Sequence, residues 1–264
     1  MSKTSTGNFS RLLSDQGVQL FDTPIMPSNG AEHITPTHGT TVIAAKFKEG
    51  VINVADRRAT AGNVIMYDEA EKVMALDDFT LISIAGAYAS AIQAIRFLKH
   101  SFRYYARSQL QELSFEGKLA EVTKVLGQGL AGAMQGVGGF IPVISAYDRK
   151  SNTGRIFNYD IMGARFETRE FAAAGSGAVQ IKGALEYVIR EKGNFKDMSM
   201  KKALKELFIL LDIAAALDSA TGGLAGILPL AKIVTADGVV DVDEKTLKEA
   251  HEAALESRAP VGEF

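Results

Sequence analysis

The sequence has 264 residues, 47% hydrophobic and 23% charged, which fits a globular protein of one large domain or two small ones. Its 29 basic and 31 acidic side chains nearly balance, excluding the basic surplus that nucleic acid or an anionic membrane calls for in a partner. Cysteine is absent, which removes disulfides, thiolate metal sites and a cysteine nucleophile, and only His33, His38, His100 and His251 are available for histidine chemistry.

No run approaches the ~18 uninterrupted apolar residues of a membrane span, because Asp212 breaks the stretch from Leu207 to Leu217. Residues 1–17 lack the apolar core of a secretory signal, so a cytoplasmic protein is expected. Residues 1–39 are rich in Ser, Thr, Asn, Gly and Pro and hold Pro24, Pro27 and Pro36, three of the six prolines. Proline lacks a backbone donor and biases its predecessor toward extended conformations, so this leader is expected to be irregular. Its few apolar residues, Leu12, Leu13, Val18, Leu20, Phe21, Ile25 and Met26, leave room for docking.

From Thr40 the texture becomes β-rich. Residues 40–47 and 51–58 around Lys48-Glu49-Gly50 read as one hairpin, and residues 72–76 and 79–86 around Asp77-Asp78 as a second. A helical period follows, with Ile92, Ile95, Leu98, Phe102 and Tyr105 in one segment and Leu119, Val122, Leu126 and Leu130 in the next. Strands return over 142–148, 155–163 and 165–175. Ile181, Leu185, Val188 and Ile189 then mark one helix and Leu204, Leu207, Phe208 and Leu211 another. A hairpin around Asp237-Gly238 and a final helix capped by Asp243 close the chain. Hairpin-joined strands make antiparallel sheets and paired helices cover their outer faces, so the fold class is α+β, a four-layer αββα sandwich. A doubly wound sheet, which alternates strands and helices singly, is disfavoured.

Common cofactor motifs fail. Gly175-Ser176-Gly177 opens like a dinucleotide loop without its third glycine, no Walker lysine spacing occurs, and residues 237–244 lack the alternating aspartates of a calcium loop. Neither cofactor nor metal is expected. What remains is a nucleophile that needs no histidine. An N-terminal threonine uses its own α-amine as base, since that amine, with pKa about 7.7–8.0, is partly neutral at cellular pH. Gly39-Thr40, where leader meets first strand, is a candidate junction, and the glycine offers no side chain to obstruct attack by Thr40 on the preceding carbonyl.

The segments Gly39-Thr40-Thr41-Val42-Ile43-Ala44 and Ala55-Asp56-Arg57-Arg58-Ala59-Thr60, then Lys72, Ala85-Gly86, Gly175-Ser176-Gly177 and Asp218-Ser219-Ala220-Thr221-Gly222-Gly223 together resemble the 20S proteasome β subunits. The resemblance runs in order over residues 40–264, and His38-Gly39 before Thr40-Thr41 is most similar to the bacterial, actinobacterial type. It implies the N-terminal-nucleophile hydrolase fold, a propeptide over 1–39 removed by autocleavage between Gly39 and Thr40, and a catalytic domain over 40–264. Thr40 would be the nucleophile, Lys72 would favour its alkoxide-like form, and Asp56 would pair with Lys72. The N–H of Gly86 would serve as oxyanion donor, worth about 3–4 kcal/mol, and Ser176, Asp218 and Thr221 would orient the freed amine. The substrate pocket would be formed by Ala59, Thr60, Ala70, Met74, Ile84, Tyr88 and Ile92, uncharged throughout, which implies a preference for apolar residues before the cut.

Each residue also has a plain reading: Asp56 and Lys72 as a surface ion pair, Gly86 as a strand-to-helix turn, Ser176 as a helix N-cap, Asp218 as a helix terminus, and His100 and His251 as surface or partner-facing. The implied partners are α-subunit rings, other β subunits in heptameric rings, an ATPase unfoldase ring at the α face and unfolded polypeptides, without nucleic acid or membrane. Two other functions stand beside the threonine endopeptidase. One is the simpler α-free bacterial heat-shock threonine protease, whose mature chain is shorter and propeptide minimal; the other is a catalytically silent ring scaffold, which would be expected to lack Thr40 or Lys72.

Overall fold

A computed structural model of the chain describes residues 7–18, 40–61, 64–134, 138–224 and 227–257. Within these, twelve strands and six α-helices form two five-stranded antiparallel sheets, each covered by helices on its outer face, with a two-stranded ribbon at the side. The αββα sandwich expected from element order is the architecture observed.

The first sheet holds β1 (Thr41–Phe47), β2 (Gly50–Ala55), β10 (Phe171–Gly175), β11 (Leu230–Thr235) and β12 (Gly238–Asp241), in the order β10-β1-β2-β11-β12. The second holds β5 (Val73–Asp77), β6 (Thr80–Gly86), β7 (Phe140–Asp148), β8 (Thr153–Tyr159) and β9 (Arg165–Thr168) in sequence order. β1, apart from half-buried Lys46, and β2 are buried on both faces, and the two-residue period divides their side chains between two cores. Val42 and Ala44 of β1 join Val51, Leu81, Val143 and Ile156 between the sheets, while Ile43, Ala45 and Phe47 face the helices. In the inter-sheet layer Asn53 donates to Ser83 Oγ at 2.6 Å, a polar bond from one sheet to the other.

Helices α4 (Ala178–Lys192), α5 (Met200–Leu217) and α6 (Glu244–Glu256) cover the first sheet, and Leu204, Leu207, Phe208 and Leu211, the predicted apolar stripe, are all buried there. On the other side, α2 (Tyr88–Gln109) and α3 (Phe115–Met134) bury Ile95, Leu98, Phe102, Leu119, Val122 and Leu126 against β6 and β7. Asp243 caps α6 by accepting from the N–H of Thr246 at 3.0 Å, as expected.

Four readings of the sequence are corrected. Residues 165–175 form two strands, because the chain passes from the second sheet to the first at Arg169-Glu170: β9 pairs with β8, and β10 with β1. The leader is not irregular throughout, since α1 (Phe9–Asp15) forms behind an Asn8 cap whose side chain accepts from the N–H of Arg11. Phe9 and Leu13 hold it on the α2–α3 core, the Phe9 ring lying 5.4 Å from Phe97 and 5.6 Å from Tyr104, centroid to centroid. Leu13 thus docks and Val18 stays exposed, while Leu20, Phe21, Ile25 and Met26 lie outside the described residues. Residues 59–67, read without strands beyond Arg58, contain the ribbon of β3 (Ala59–Ala61) and β4 (Val64–Tyr67). Finally, His251 is partly buried and donates from Nε2 to the Leu224 carbonyl at 2.7 Å, so it belongs to the packing of α6 and not to an open surface.

Candidate active site

Antiparallel pairing gathers the predicted residues at one end of the sandwich. β1 begins with Thr41, β2 ends just before Asp56, β5 begins just after Lys72, β6 ends at Gly86 and β10 ends at Gly175. These strand ends, up to 134 positions apart in sequence, therefore meet because strand starts and strand ends alternate along each sheet.

Asp56 is the centre of the cluster. It is 1% exposed, and its Oδ1 accepts from Lys72 Nζ and from the Thr41 N–H, both at 2.8 Å. Its Oδ2 accepts from the N–H of Arg58 at 3.0 Å and of Gly222 at 2.9 Å. Four donors on one buried carboxylate satisfy its charge, which a single lysine would not do. The Asp56 N–H also donates to the Thr41 carbonyl, so these two residues hold one another by both backbone and side chain. The surface ion pair considered for Asp56 and Lys72 is excluded, since both side chains are at most 2% exposed.

Lys72 donates to the Arg58 carbonyl as well as to Asp56. Burial draws its ammonium below the ordinary lysine value, with the Asp56 carboxylate pulling the other way. A lysine so placed keeps a strong field at the start of β1 while its proton is held less tightly than on the surface.

Thr40 is buried, 5% exposed, and its carbonyl lies where only glycine can face it. At Gly175 φ is +107°, and a Cβ there would stand 1.7 Å from the Thr40 carbonyl oxygen. Gly39 lies outside the described residues. Gly86 also has a positive φ, +105°, and a Cβ on it would stand 2.7 Å from the Gly139 carbonyl oxygen, so the turn from β6 into α2 requires this glycine.

A second network lies beside the first. Asp218, the C-cap of α5, accepts at Oδ2 from Ser176 Oγ at 2.5 Å and from Thr221 Oγ1 at 2.6 Å. Thr221 Oγ1 is 2.7 Å from Thr41 Oγ1. Ser176 is therefore no helix cap: Gly177 occupies the N-cap of α4 without a side-chain bond, and the serine hydroxyl goes to Asp218.

Of the pocket residues, Met74, Ile84, Tyr88 and Ile92 share the apolar cluster under α2, Ala70 and Thr60 are buried, and Ala59 is half-buried on β3. The Tyr88 hydroxyl, undirected by sequence, donates to the Glu71 carbonyl at 3.2 Å, and burial pushes its phenol upward. Sequence reasoning passed over Thr41, the Gly222 N–H and the Arg58 carbonyl as working parts. Backbone groups carry no sequence signal, and nothing local sets Thr41 apart from the other residues of β1. No group of three or more His, Cys, Asp or Glu able to hold a metal ion occurs among the described residues, and no described helix is long and apolar enough to cross a membrane.

Residues 36–227 match the family model described as Proteasome subunit. The chain is 36% identical to proteasome subunit beta 2 of Thermomonospora curvata over 258 residues, covering 96% of this chain and 89% of that one. It is 32% identical to the proteasome subunit beta of Streptomyces griseus over the same shares, and 33% identical to that of Nocardia farcinica over 89% and 82% of the two chains. With the four-layer fold and a family match across most of its length, the chain belongs to the proteasome subunit family, as a β subunit of the bacterial kind.

Proposed function

We propose that this chain, a threonine-type endopeptidase as a catalytic 20S proteasome β subunit, works through Thr40 exposed by removal of residues 1–39. The observation that carries this reading is the sharing of Asp56 Oδ1: the Lys72 ammonium and the N–H of the residue following Thr40 sit on one oxygen atom. A cation beside the backbone that follows Thr40 supports this residue as the nucleophile.

In the first step Thr40 Oγ attacks the Gly39 carbonyl and the Gly39–Thr40 C–N bond breaks, which frees the Thr40 amine and leaves the leader as an ester on Oγ; water then hydrolyses that ester, releasing residues 1–39 and the Thr40 hydroxyl. In peptide cleavage that amine takes the hydroxyl proton through a water and Oγ bonds to the substrate carbonyl carbon; the substrate C–N bond then breaks as the leaving amine receives the proton, and a water hydrolyses the acyl ester to restore the Thr40 hydroxyl. Lys72 stabilises the developing alkoxide, the Gly86 N–H faces the oxyanion, and Ser176, Asp218 and Thr221 orient the amine. The uncut chain has its base locked in a peptide bond and is inactive.

As a β subunit the chain assembles with α subunits and other β subunits in rings. The finer setting, also proposed, is heptameric β rings inside α rings, fed with unfolded polypeptides by an ATPase ring, in the cytoplasm. Intact-mass measurement and N-terminal sequencing after co-expression with the cognate α subunit test the reading. A mature chain starting at Thr40, and a Thr40→Ala variant that keeps its leader, are expected. Any other start, or normal processing of Thr40→Ala, overturns it.

A further inference from the structure

We propose that Thr41 is a positioning residue for this reaction: its hydroxyl, donated to Thr221, ties the segment carrying Thr40 to Asp218 and fixes where the nucleophile stands. This rests on Thr40 being that nucleophile.

The direction of the bond follows from counting protons. A threonine hydroxyl has one, and that of Thr221 is committed to Asp218 Oδ2 at 2.6 Å. The 2.7 Å contact between Thr41 Oγ1 and Thr221 Oγ1 then requires Thr41 to donate. The chain of bonds runs Thr41 to Thr221 to Asp218, and Ser176 donates to the same carboxylate oxygen from the other side. Thr41 is 0% and Thr221 1% exposed, so water does not compete for this pair.

Thr41 is thereby held at three points: its N–H on Asp56 Oδ1, its carbonyl by the Asp56 N–H, and its hydroxyl on Thr221. It links the buried carboxylate, Asp56, to the half-buried one, Asp218, beside the link made by Thr221 and the Gly222 N–H. Valine, close to threonine in shape and also a strand former, is the substitution that removes this hydroxyl with least change to the strand. The space around the hydroxyl is kept for it: a Cβ on Gly177 would stand 2.3 Å from Thr41 Oγ1 and 2.8 Å from Thr221 Oγ1. Replacing Thr41 by valine removes a donor and leaves no donor orphaned, because Thr221 keeps Asp218.

The test is steady-state peptidase kinetics on assembled particles carrying Thr41→Val, Thr41→Ser, Thr221→Val and the double variant, with Thr40→Ala alongside. Thr41→Val is expected to lower kcat about tenfold with KM within about twofold, and Thr41→Ser to restore most of it. The double variant is expected to lose no more than Thr221→Val alone, because both changes cut one chain of bonds. An unchanged kcat in Thr41→Val, a rise in KM in its place, no rescue by serine, or independent losses that multiply would overturn the proposal. Should Thr41→Val fail to assemble, Thr41→Ala is read in its place: a kcat loss at constant KM supports the proposal and an unchanged kcat overturns it. Normal processing of Thr40→Ala would instead remove the nucleophile assignment, so the two failures are distinguishable.

Discussion

Asp56 and Lys72 form a pair but are not symmetric partners. Asp56 keeps three backbone N–H donors, from Thr41, Arg58 and Gly222, when Lys72 is removed. Lys72 keeps its bond to the Arg58 carbonyl when Asp56 is removed but loses its paired carboxylate, and three N–H groups lose their acceptor. Lys72→Ala and Asp56→Ala are both expected to abolish peptidase activity. Thermal melts should separate them, with Asp56→Ala destabilised by about 3 kcal/mol or more and Lys72→Ala by clearly less; equal losses would contradict this account of Asp56. The lysine also sets a pH dependence. Its pKa is lowered in the folded chain, so the alkaline limb of activity is expected below pH 10.5, where Lys72 loses its proton. Asp56 raises that pKa, so Asp56→Asn, measured through its residual activity, should move the limb to still lower pH. The same shift means the unfolded chain binds more protons, and Lys72 costs stability at neutral pH. That cost is relieved only as pH rises from the lowered folded pKa through 10.5.

At the scale of elements, the site depends on where strands stop. Gly175 ends β10 directly against Thr40, with φ at +107° and no room for a Cβ. Gly175→Ala is expected to displace Thr40 and block processing. Gly127→Ala, on the exposed side of α3 with nothing within 4 Å of the added carbon, is the control and should stabilise the unassembled chain by about 0.5–1 kcal/mol. Mass spectrometry and thermal melts read both, and full processing of Gly175→Ala would show that this glycine does not position the cleavage junction. The helix α1 matters at the same scale: it places the described part of the leader on α2 through Phe9 and Leu13, on the side of the second sheet.

Over the whole molecule, three apolar layers hold the two sheets and their helices together, and the site opens at the end where β1 begins. Met74 and Ile84, with Tyr88 and Ile92 packed beside them, continue the α2-side core, so the proposed pocket is an extension of packing already present. Its residues carry no charge, and the Tyr88 hydroxyl is committed to the Glu71 carbonyl. A charged side chain entering there would be desolvated without a partner, against about 1.5–3 kcal/mol gained by burying Leu or Phe. Fluorogenic peptides ending in Leu or Tyr are therefore expected to turn over faster than those ending in Arg or Glu, and the reverse order would assign substrate binding to other residues.

The sequence by itself determined the fold class, because strand and helix periods are local, and hairpins followed by helix pairs admit few packings. It also singled out Asp56, Lys72, Ser176, Asp218 and Thr221, through the order and spacing in which they together resemble the family, since Asp56, Lys72, Ser176 and Asp218 taken singly read as an ion pair, a cap or a helix terminus. It missed the ribbon over residues 59–67 because short strands leave too few periods to recognise, and it missed α1 because the helix is held by contacts with α2. Only the tertiary structure decided that residues 165–175 divide between two sheets, since the alternation is the same whichever sheet receives it. Only it could bring Thr41 to Thr221 across 180 positions of chain, or set the backbone N–H of Gly222 on Asp56. Hydrogen bonds of that kind depend on where strands end in space, and no local pattern of side chains records it.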